Sequence, residues 1–208
     1  RCFHLLEEVK MQEIFKRQIP EHTDIFRKSK ILILGCGGLG TNSCFLLAKS
    51  GIGTIKIVDY DTVEYSNLNR QIYRPTDVGK YKVDAFKEIC GEFLPFANIS
   101  VENIKVTESN IDKLTDGYDI VIEAFDDEYA KSLVLEHFIG TDKKLISVSG
   151  IGGVKKLDMK IKKMNNIVVC GDFETKTDIG LYYPNVMIAA STQAIIALNW
   201  LLEENNGR

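Results

Sequence analysis

Short apolar runs that alternate with helical patterns dominate this chain. The run at residues 31–34 is rich in β-branched side chains and stops at a glycine, and residues 54–58, 119–122 and 144–148 have a similar form. Runs of this kind are typical of strands that are buried on both faces of a parallel sheet. We therefore expect buried strands at these places.

Helical spacing fills the segments between these runs. Apolar residues recur every three or four positions at residues 39–50, 80–93 and 128–138, and a shorter capped helix is predicted at residues 107–114. Residues 98–106 alternate between apolar and polar side chains, which is typical of a strand. Strands and helices in this alternation predict an α/β protein of Rossmann-like fold, in which helices flank a mostly parallel sheet.

The two ends of the chain depart from this alternation. Residues 157–161 and 167–170 are predicted to pair as additional antiparallel strands around a turn of two asparagines. A polar loop at residues 171–184 leads to a largely apolar helix at residues 185–202, which would pack in the core or at a subunit interface. At the other end, residues 4–17 have the pattern of an amphipathic helix.

We expect one folded domain with a helical segment in front of it. The domain would comprise residues 30–208 and the N-terminal helical segment residues 1–29. The sequence contains no internal repeat and no low-complexity linker, and 208 residues are enough to bury a full core.

A glycine-rich turn follows the first predicted strand. Gly35, Gly37 and Gly40 match the G-x-G-x-x-G fingerprint, in which glycines allow a tight turn and close backbone approach to phosphates, and Gly38 lies in the same loop. The second strand ends at Asp59, where the fingerprint expects an acid that binds a ribose hydroxyl. Glycines also form plain tight turns, but here the strand, the helix and the acid all stand at the expected places. The pattern predicts a nucleotide site.

The residues after Asp59 distinguish this copy of the fingerprint. Asp61 follows at once, and two cations, Arg70 and Lys82, come soon afterwards. An ordinary dinucleotide site does not need two cations so close to its ribose acid, whereas a site for a triphosphate does. The segment therefore favours a nucleoside triphosphate.

A pair of acids, Asp126 and Asp127, follows the predicted strand at residues 119–122. Ligands bind at the carboxyl edge of open α/β sheets, which favours a role in a site. Aspartate is also a common helix cap, so both residues are consistent with capping the helix at residues 128–138. The residues alone leave the two interpretations open.

These motifs together resemble one known family. The segments G-C-G-G-L-G, D-x-D-x-V-x-x-S-N-L-N-R-Q, V-G-x-x-K and A-F-D-D are similar to those of the ThiF/MoeB/HesA adenylyltransferases, which resemble the adenylation domain of ubiquitin-activating enzymes. The resemblance extends over nearly all of the chain from about Arg17 onward. The short chain and the phrases at residues 123–127 and 170–172 look most like the compact ThiF enzymes of thiamine biosynthesis.

The resemblance implies roles for particular residues. It implies ATP and Mg²⁺ as cofactors, with Asp126 holding Mg²⁺ and with Arg70 and Lys82 neutralising the phosphates. It also implies that Arg17 reaches across a homodimer interface to the ATP of the other subunit, although a solvated cation at a helix end is an alternative. The residues implied to hold or orient the nucleotide are Gly35, Gly37, Gly38, Gly40, Asp59, Asp61, Asn67 and Gln71.

The resemblance also implies a protein substrate. This would be a small ubiquitin-like sulfur carrier whose C-terminal Gly-Gly carboxylate becomes an acyl adenylate with release of pyrophosphate; a molybdopterin-type or other ubiquitin-like carrier is an open alternative. The loop at residues 171–184 lies where relatives guide the carrier's tail, and it is either a partner surface or a loop without a partner. Cys170, next to it, either forms a covalent bond with the carrier or is an inert buried residue.

Composition narrows the class of protein. A share of 45% hydrophobic and 26% charged residues is typical of a soluble globular protein, and a net charge of −3 disfavours nonspecific binding to nucleic acid. The sequence has no apolar run of about 18 residues and no signal-peptide pattern, so we expect a cytoplasmic protein that does not insert into a membrane.

The five cysteines form no C-x-x-C pair, so we expect no structural zinc. The first residue is Arg rather than Met, which suggests that the numbered sequence begins inside a longer gene product.

Two other classes of function fit part of the sequence. An NAD-dependent oxidoreductase would use the glycine fingerprint and Asp59 equally well, although the chain lacks a second substrate domain. A degenerate adenylation domain that acts as a scaffold or dimerisation module is the other alternative. The joint presence of Asp59, Arg70, Lys82 and Asp126 disfavours it.

Overall fold

The computed structural model describes residues 11–154 and 158–206. The helix predicted at residues 4–17 falls partly within them. Residues 11–15 are helical, whereas residues 4–10 lie outside the described residues. The division into a segment at residues 1–29 and a domain at residues 30–208 stays a prediction.

Strands and helices alternate through most of the described chain. The strands are β1 (Lys30–Leu34), β2 (Thr54–Asp59), β3 (Ile99–Asn103), β4 (Ile120–Glu123), β5 (Lys144–Val148), β6 (Lys160–Met164) and β7 (Ile167–Gly171). The helices that follow residues 11–15 are α1 (Pro20–Lys28), α2 (Gly38–Lys49), α3 (Lys82–Phe93), α4 (Ile111–Thr115), α5 (Glu128–Phe138) and α6 (Tyr183–Asn206). Short 3₁₀ turns lie at Tyr65–Asn67, Pro75–Asp77 and Thr177–Ile179.

The seven strands of the described residues form one sheet in the order β3-β2-β1-β4-β5-β7-β6. Every neighbouring pair is parallel except β6 and β7, which are antiparallel. The predicted fold class is therefore confirmed. Successive strands are added on one side of β1 up to β3 and then on its other side from β4, so the strand order reverses between β1 and β4. In open α/β sheets, such a reversal leaves a crevice at the carboxyl ends of the two strands.

Buried apolar side chains cover both faces of the sheet. On one face, Ile31 and Ile33 belong to a cluster with residues of α1, α2, α3 and α6. On the other face, Leu32 and Leu34 belong to a cluster with residues of α4 and α5. Both faces of β1 are thus covered by helices, which explains why its sequence is continuously apolar.

The predicted position of β6 was wrong by a few residues. We expected a strand at residues 157–161, but β6 lies directly beside the asparagine turn, with Met164 opposite Ile167. Asn165 has a φ of 52°, a left-handed conformation that asparagine tolerates well and that allows the tight turn. The turn therefore sets the register, as is usual in hairpins.

The predicted start of α4 was also wrong. The pattern placed it at Thr107, but the helix begins at Ile111. The side-chain Oδ1 of Asn110 accepts a hydrogen bond from the backbone N–H of Thr107 at 2.9 Å. This local bond holds the preceding residues as a turn, since asparagine side chains compete with helical hydrogen bonding.

Helix α6 is long and apolar enough to cross a membrane by length and composition, and it is the one such helix among the described residues. Half of that stretch is buried inside the domain. Its buried residues include Ala189, Ala190 and Ala197, and the Gln193 side chain donates to the backbone carbonyl of Glu123 at 3.0 Å. This packing is that of a core helix, which passes the same test of length and composition.

A buried acid holds the segment that leads into α3. The Asp77 side chain is 1% exposed, and its carboxylate accepts hydrogen bonds from the backbone N–H and Nε of Arg74 at 3.0 Å and from Lys80 Nζ at 3.3 Å. Burial alone would raise the pKa of Asp77, but the hydrogen bonds from Arg74 and Lys80 outweigh it and hold the pKa below its ordinary value. The network therefore stabilises the ionised carboxylate.

Replacing Asp77 with alanine is expected to lower the free energy of unfolding by about 2 kcal/mol near neutral pH, because the donors of Arg74 and Lys80 lose a buried acceptor. The folded pKa of Asp77 lies below the unfolded value of about 3.9, so its stabilisation is present above that value and is lost as the pH falls through the folded pKa. Urea denaturation near neutral and at acidic pH measures both effects. Asp116→Ala, at an exposed position, is the control and should cost less than about 0.5 kcal/mol. Equal losses in the two variants would contradict this account.

Candidate functional site

A cavity of about 650 Å³ opens at the carboxyl edge of the sheet, at the point where the strand order reverses. The glycine loop after β1, the residues after β2, residues 124–131 after β4 and residues 173–176 all line it. Pockets that bind small molecules and cofactors have volumes of this size, and they lie at this place in open α/β sheets. The cavity is therefore the candidate functional site.

Close backbone contacts shape the glycine loop. Gly35 has a φ of +110°, and a Cβ at this position would lie 2.8 Å from the carbonyl oxygen of Ala124. A Cβ on Gly40 would lie 1.8 Å from the carbonyl oxygen of Gly35, which leaves no space for a side chain. The glycines thus let the loop approach both the end of β4 and the start of α2.

The loop is also held by side chains from outside it. The backbone N–H of Cys36 donates to Asp59 Oδ2 at 2.6 Å, and its carbonyl accepts a hydrogen bond from the Tyr73 hydroxyl at 2.5 Å. Helix α2 then starts after Gly37, which supplies no side-chain cap. Gly37 and Gly38 line the cavity, so the uncapped N-terminus of a helix lies at its wall. Backbone N–H groups in this arrangement favour an anion.

An ion pair lies beside the end of β2. Lys82, the first residue of α3 and 8% exposed, donates from Nζ to Asp61 Oδ2 at 2.8 Å. Burial lowers the pKa of Lys82, but the hydrogen bond to Asp61 and the charges of Asp59, Asp61 and Asp126 outweigh it, so that the pKa is raised above its ordinary value. Lys82 is therefore a permanent cation at neutral pH in the wall of the cavity.

Arg70 and Gln71 line the cavity next to the glycine loop. Arg70 donates from Nη1 to the carbonyl of Ser66 at 2.8 Å and to Asn69 Oδ1 at 3.0 Å, and it forms no ion pair with a carboxylate within the described ranges. Gln71 is 9% exposed, and its Oε1 is buried without a hydrogen-bond partner in this part of the chain. A buried polar atom without a partner is rare and costs free energy, so it indicates a place where a bound group completes the hydrogen bonding.

The two acids after β4 have different surroundings. Asp127 is the N-cap residue of α5, and its Oδ2 accepts a hydrogen bond from the backbone N–H of Ala130 at 2.7 Å. Asp126 is exposed at the cavity, and its charge contributes to the raised pKa of Lys82. Capping therefore explains Asp127, whereas Asp126 presents a carboxylate to the cavity.

Comparison with known proteins identifies the family. The sequence profile of the ThiF family matches residues 10–207. The chain belongs to the ThiF family. The resemblance inferred from the glycine loop, the S-N-L-N-R-Q segment and the later A-F-D-D phrase is thereby confirmed.

Longer proteins contain a similar ThiF-family region. The chain is 34% identical over 145 residues to the adenylyltransferase and sulfurtransferase UBA4 of Candida glabrata, a match that covers 69% of this chain and 33% of that protein. It is 36% identical over 126 residues to the protein of the same name from Aspergillus clavatus, covering 60% and 26% of the two chains. The chain thus spans about a third or less of the length of these curated relatives.

Solved structures share the fold of this ThiF-family chain. The tRNA N6-threonylcarbamoyladenosine dehydratase TcdA of E. coli, in complex with ATP, superimposes with a TM-score of 0.82 at 20% identity, over 94% of this chain and 95% of that one. MccB of E. coli with ATP superimposes with a TM-score of 0.70 at 22% identity, over 86% and 57% of the two chains. At these identities the likeness establishes the fold.

Three residues that the sequence placed in the site do not line the cavity, namely Gly40, Asn67 and Arg17. Gly40 lies in α2, packed against the backbone carbonyl of Gly35. Asn67 is 8% exposed, and its Oδ1 accepts a hydrogen bond from the backbone N–H of Glu64 at 3.0 Å at the start of a 3₁₀ turn. Arg17 is exposed in the turn that follows the helical residues 11–15. Asn67 therefore shapes the segment that carries Arg70, and the role of Arg17 across a dimer interface stays a prediction.

Three lysines in the cavity wall were missed by sequence reasoning. Lys105 follows β3, with its Nζ 5.2 Å from the ring centre of Tyr60; Lys131 lies on α5; and Lys176 lies in the loop after β7. Lys105 comes just after a predicted strand, and this position could have indicated that it lies at the carboxyl edge of the sheet, where the cavity is. Nothing in the local sequence marks the other two, because their places depend on how distant segments fold together.

The loop after β7 forms a wall of the cavity and is held by its own hydrogen bonds. The Asp172 carboxylate accepts hydrogen bonds from the backbone N–H groups of Glu174 and Thr175 at 2.9 Å and from the Thr175 hydroxyl at 2.7 Å. That hydroxyl in turn accepts a hydrogen bond from the backbone N–H of Gly152 at 2.9 Å. Phe173 has a φ of 61°, a strained conformation for a bulky residue, which these bonds hold in place. Part of the segment predicted at residues 171–184 thus lines the cavity.

Cys170 lies in β7, next to the edge strand β6. It is fully buried, and its Sγ lies 3.6 Å from the carbonyl oxygen of Ser147. Burial raises the pKa of the Cys170 thiol to about 12. Because the thiolate is the reactive form of cysteine, this environment favours the inert interpretation over a covalent link to a carrier.

We expect native Cys170 to resist alkylation by maleimide near pH 8, where a thiol with a pKa of about 12 is ionised in only about one molecule in 10,000. Mass spectrometry of the digested protein measures the labelling, with the urea-unfolded protein as a control for reactivity. Any adenylation activity of the kind that the family resemblance implies should be retained by Cys170→Ala within a factor of about two, with the same products. Rapid labelling of the folded protein, or loss of a carrier adduct in Cys170→Ala, would show that the thiol takes part in the chemistry.

Proposed function

We propose that this chain is an ATP-dependent adenylyltransferase that activates the C-terminal glycine carboxylate of a small ubiquitin-like sulfur carrier. The observation that carries the proposal is one cavity that contains the glycine loop, Arg70, Lys82 and Asp126, which come from separate segments of the chain. The buried Gln71 Oε1 without a partner among the described residues further supports a bound ligand. The adenylyltransferase name of the UBA4 relatives supports this reaction, and the ATP complexes of TcdA and MccB support ATP as the nucleotide.

The proposed reaction joins a carboxylate to AMP. A carboxylate oxygen attacks the α-phosphorus of ATP, the new O–P bond forms, the bond to the β-phosphate oxygen breaks, and pyrophosphate leaves. The attacking carboxylate is already ionised near neutral pH, so the step needs no general base. The protein contributes positioning and neutralisation of charge.

Each part of the cavity has a role in this scheme. Asp59 binds the ribose, and the N-terminus of α2 faces the phosphates through the backbone of the glycine loop. Arg70 and Lys82 stabilise the negative charge that moves onto the departing pyrophosphate. Lys82 is suited to this because its raised pKa keeps it charged. Asp61 holds the Lys82 ammonium in place at 2.8 Å.

Mg²⁺ fits the cavity as a companion of the nucleotide. Proteins bind Mg²⁺ through one or two carboxylates together with substrate phosphates, and Asp126 offers an exposed carboxylate in the cavity wall. Over the described ranges, no group of three His, Cys, Asp or Glu side chains is able to hold a metal ion by itself. Asp126 would therefore hold Mg²⁺ jointly with ATP, and the ion would neutralise phosphate charge.

The proposal extends to a particular carrier and assembly. The phrases E-A-F-D-D and C-G-D favour the sulfur carrier of thiamine biosynthesis, with a molybdopterin-type carrier as the alternative. We further propose a cytoplasmic homodimer in which Arg17 approaches the nucleotide of the other subunit. An NAD-dependent oxidoreductase is disfavoured because the cavity contains cations suited to a polyphosphate and because the chain belongs to the ThiF family.

Pyrophosphate exchange with a panel of carriers tests this function. The purified chain is incubated with ATP, Mg²⁺, labelled pyrophosphate and one Gly-Gly-tailed carrier at a time, and label in ATP is counted. We expect exchange with the thiamine-type carrier and none with the same carrier after its last two residues are removed. Exchange with a molybdopterin-type carrier alone would change the assigned partner. Absence of exchange with every carrier would contradict the proposed activity.

A further inference from the structure

A second group of charges borders the cavity. Glu123, the last residue of β4, is fully buried, and its carboxylate accepts hydrogen bonds from three different segments. The donors are the backbone N–H of Phe125 at 2.6 Å, the Ser147 hydroxyl at 2.5 Å and Lys131 Nζ at 3.1 and 3.2 Å. One carboxylate thus ties the turn after β4 to β5 and to α5.

Lys131 completes this group from the side of α5. Besides its two contacts with Glu123, its Nζ donates to the backbone carbonyl of Val148 at 3.1 Å. A protonated lysine has three donor hydrogens, and these three acceptors account for all of them. Lys131 lines the cavity, but its ammonium is therefore committed to the ends of β4 and β5.

The backbone of Glu123 is fixed as well. Its carbonyl accepts a hydrogen bond from Gln193 on α6 at 3.0 Å, and Gln193 accepts one from the Ser43 hydroxyl on α2 at 3.1 Å. The next carbonyl along the chain, that of Ala124, is the one against which Gly35 packs. The position of Glu123 is thus coupled to the glycine loop and to the helix that follows it.

Stability alone does not account for such a pair. Glu123 is fully buried and the Lys131 side chain is 24% exposed. Replacing a largely buried ion pair with neutral groups of similar volume is often harmless to stability or favourable, whereas removing one partner alone is strongly destabilising. The turn that the pair holds carries Asp126, whose carboxylate is exposed and forms no hydrogen bond with the described residues. The backbone of this turn therefore fixes where the Asp126 carboxylate stands.

We propose that Glu123 and Lys131 are positioning residues that set the Asp126 carboxylate for a nucleotide-bound divalent cation. This inference rests on the proposed function for the presence of the nucleotide and the cation. Neither Glu123 nor Lys131 contacts the substrate in this scheme. Both act through the turn at residues 124–127.

A pair of neutral substitutions separates this role from a purely structural one. Lys131→Met leaves a buried carboxylate without its cation and should lower the melting temperature by several degrees. Glu123→Gln retains an acceptor for Phe125, so the double variant Glu123→Gln/Lys131→Met should recover most of the loss. The control is Lys56→Met/Glu102→Gln, which removes a partly exposed ion pair between β2 and β3 that does not line the cavity. This control should change neither the melting temperature nor the affinity for Mn²⁺.

The decisive measurement is the affinity for Mn²⁺ in the presence of saturating ATP, followed by electron paramagnetic resonance. We expect the double variant to bind Mn²⁺ about tenfold more weakly than the wild type despite its recovered melting temperature, since loss of an outer-sphere group typically costs 10- to 100-fold. Asp126→Asn should show a similar loss without a change in melting temperature. The triple variant Glu123→Gln/Asp126→Asn/Lys131→Met should bind Mn²⁺ no more weakly than Asp126→Asn alone, because the pair acts through Asp126.

Two results would overturn the inference. One is wild-type Mn²⁺ affinity in a stable double variant, and the other is a loss in the triple variant equal to the sum of the separate losses. A wild-type protein that binds no Mn²⁺ with ATP would instead contradict the proposed function. The two failures are therefore distinguishable.

Discussion

Lys82→Met is expected to reduce pyrophosphate exchange by a factor of about 100 or more. Removing one preorganised donor that faces charge developing in a transition state costs about 3 kcal/mol. The Lys82 ammonium stands in the cavity wall with a raised pKa, so methionine removes a full charge while keeping most of the packing. Arg70→Ala should have an effect of similar size, because Arg70 lines the same cavity without a carboxylate partner in the described part of the chain.

Lys87→Met is the matched control for this experiment. Lys87 lies on the same helix, α3, but it is exposed and does not line the cavity. A surface lysine contributes less than about 1 kcal/mol, so exchange should stay within a factor of about five of the wild type. Comparable exchange in Lys82→Met and Lys87→Met would exclude Lys82 from the reaction and leave it as a structural partner of Asp61.

Gly40→Ala is expected to destabilise the protein by about 3 kcal/mol and to abolish nucleotide binding. The added Cβ would lie 1.8 Å from the carbonyl oxygen of Gly35, a backbone atom that is unable to move without displacing the glycine loop. Overpacking of this kind typically costs 1–3 kcal/mol and sometimes more. Because the glycine loop is part of the cavity wall, the loss of stability and the loss of nucleotide binding should appear together.

Gly91→Ala is a control that should change the stability of the protein in the opposite direction. Gly91 lies in α3 with nothing within 4 Å of its added Cβ. Alanine in the interior of a helix is more stable than glycine by about 1 kcal/mol, so this variant should become more stable and bind nucleotide normally. Urea denaturation and ATP titration measure both variants. A Gly40→Ala protein as stable as Gly91→Ala would show that the tight contact in the glycine loop does not exist.

The parts of the site that depend on short stretches of sequence could be predicted from the sequence. The glycine loop and Asp59 follow directly from β1 and β2, and parallel strands bring their carboxyl ends to one edge. Lys82 falls in the first turn of the helix predicted at residues 80–93, and it is the first residue of α3. These positions depend on strand and helix patterns of short range, which the sequence displays.

The residues that were missed depend on contacts between distant segments. Lys131 reaches Glu123 from α5, and Lys176 reaches the cavity through a loop pinned by Asp172. Asn67 had the residue type of a ligand group, but its side chain serves the backbone of its own turn. Sequence alone shows the type of a side chain, whereas the partner it takes is decided by tertiary structure.

The central claim is that the cavity recognises the polyphosphate of ATP through Lys82 and its neighbours. Calorimetric titration of the wild type and Lys82→Met with ATP, AMP and NADH in the presence of Mg²⁺ tests it most directly. We predict that the wild type binds ATP at least about tenfold more tightly than AMP, that Lys82→Met loses most of this difference, and that NADH does not compete. Equal affinity for ATP and AMP, or tight binding of NADH that excludes ATP, would contradict it.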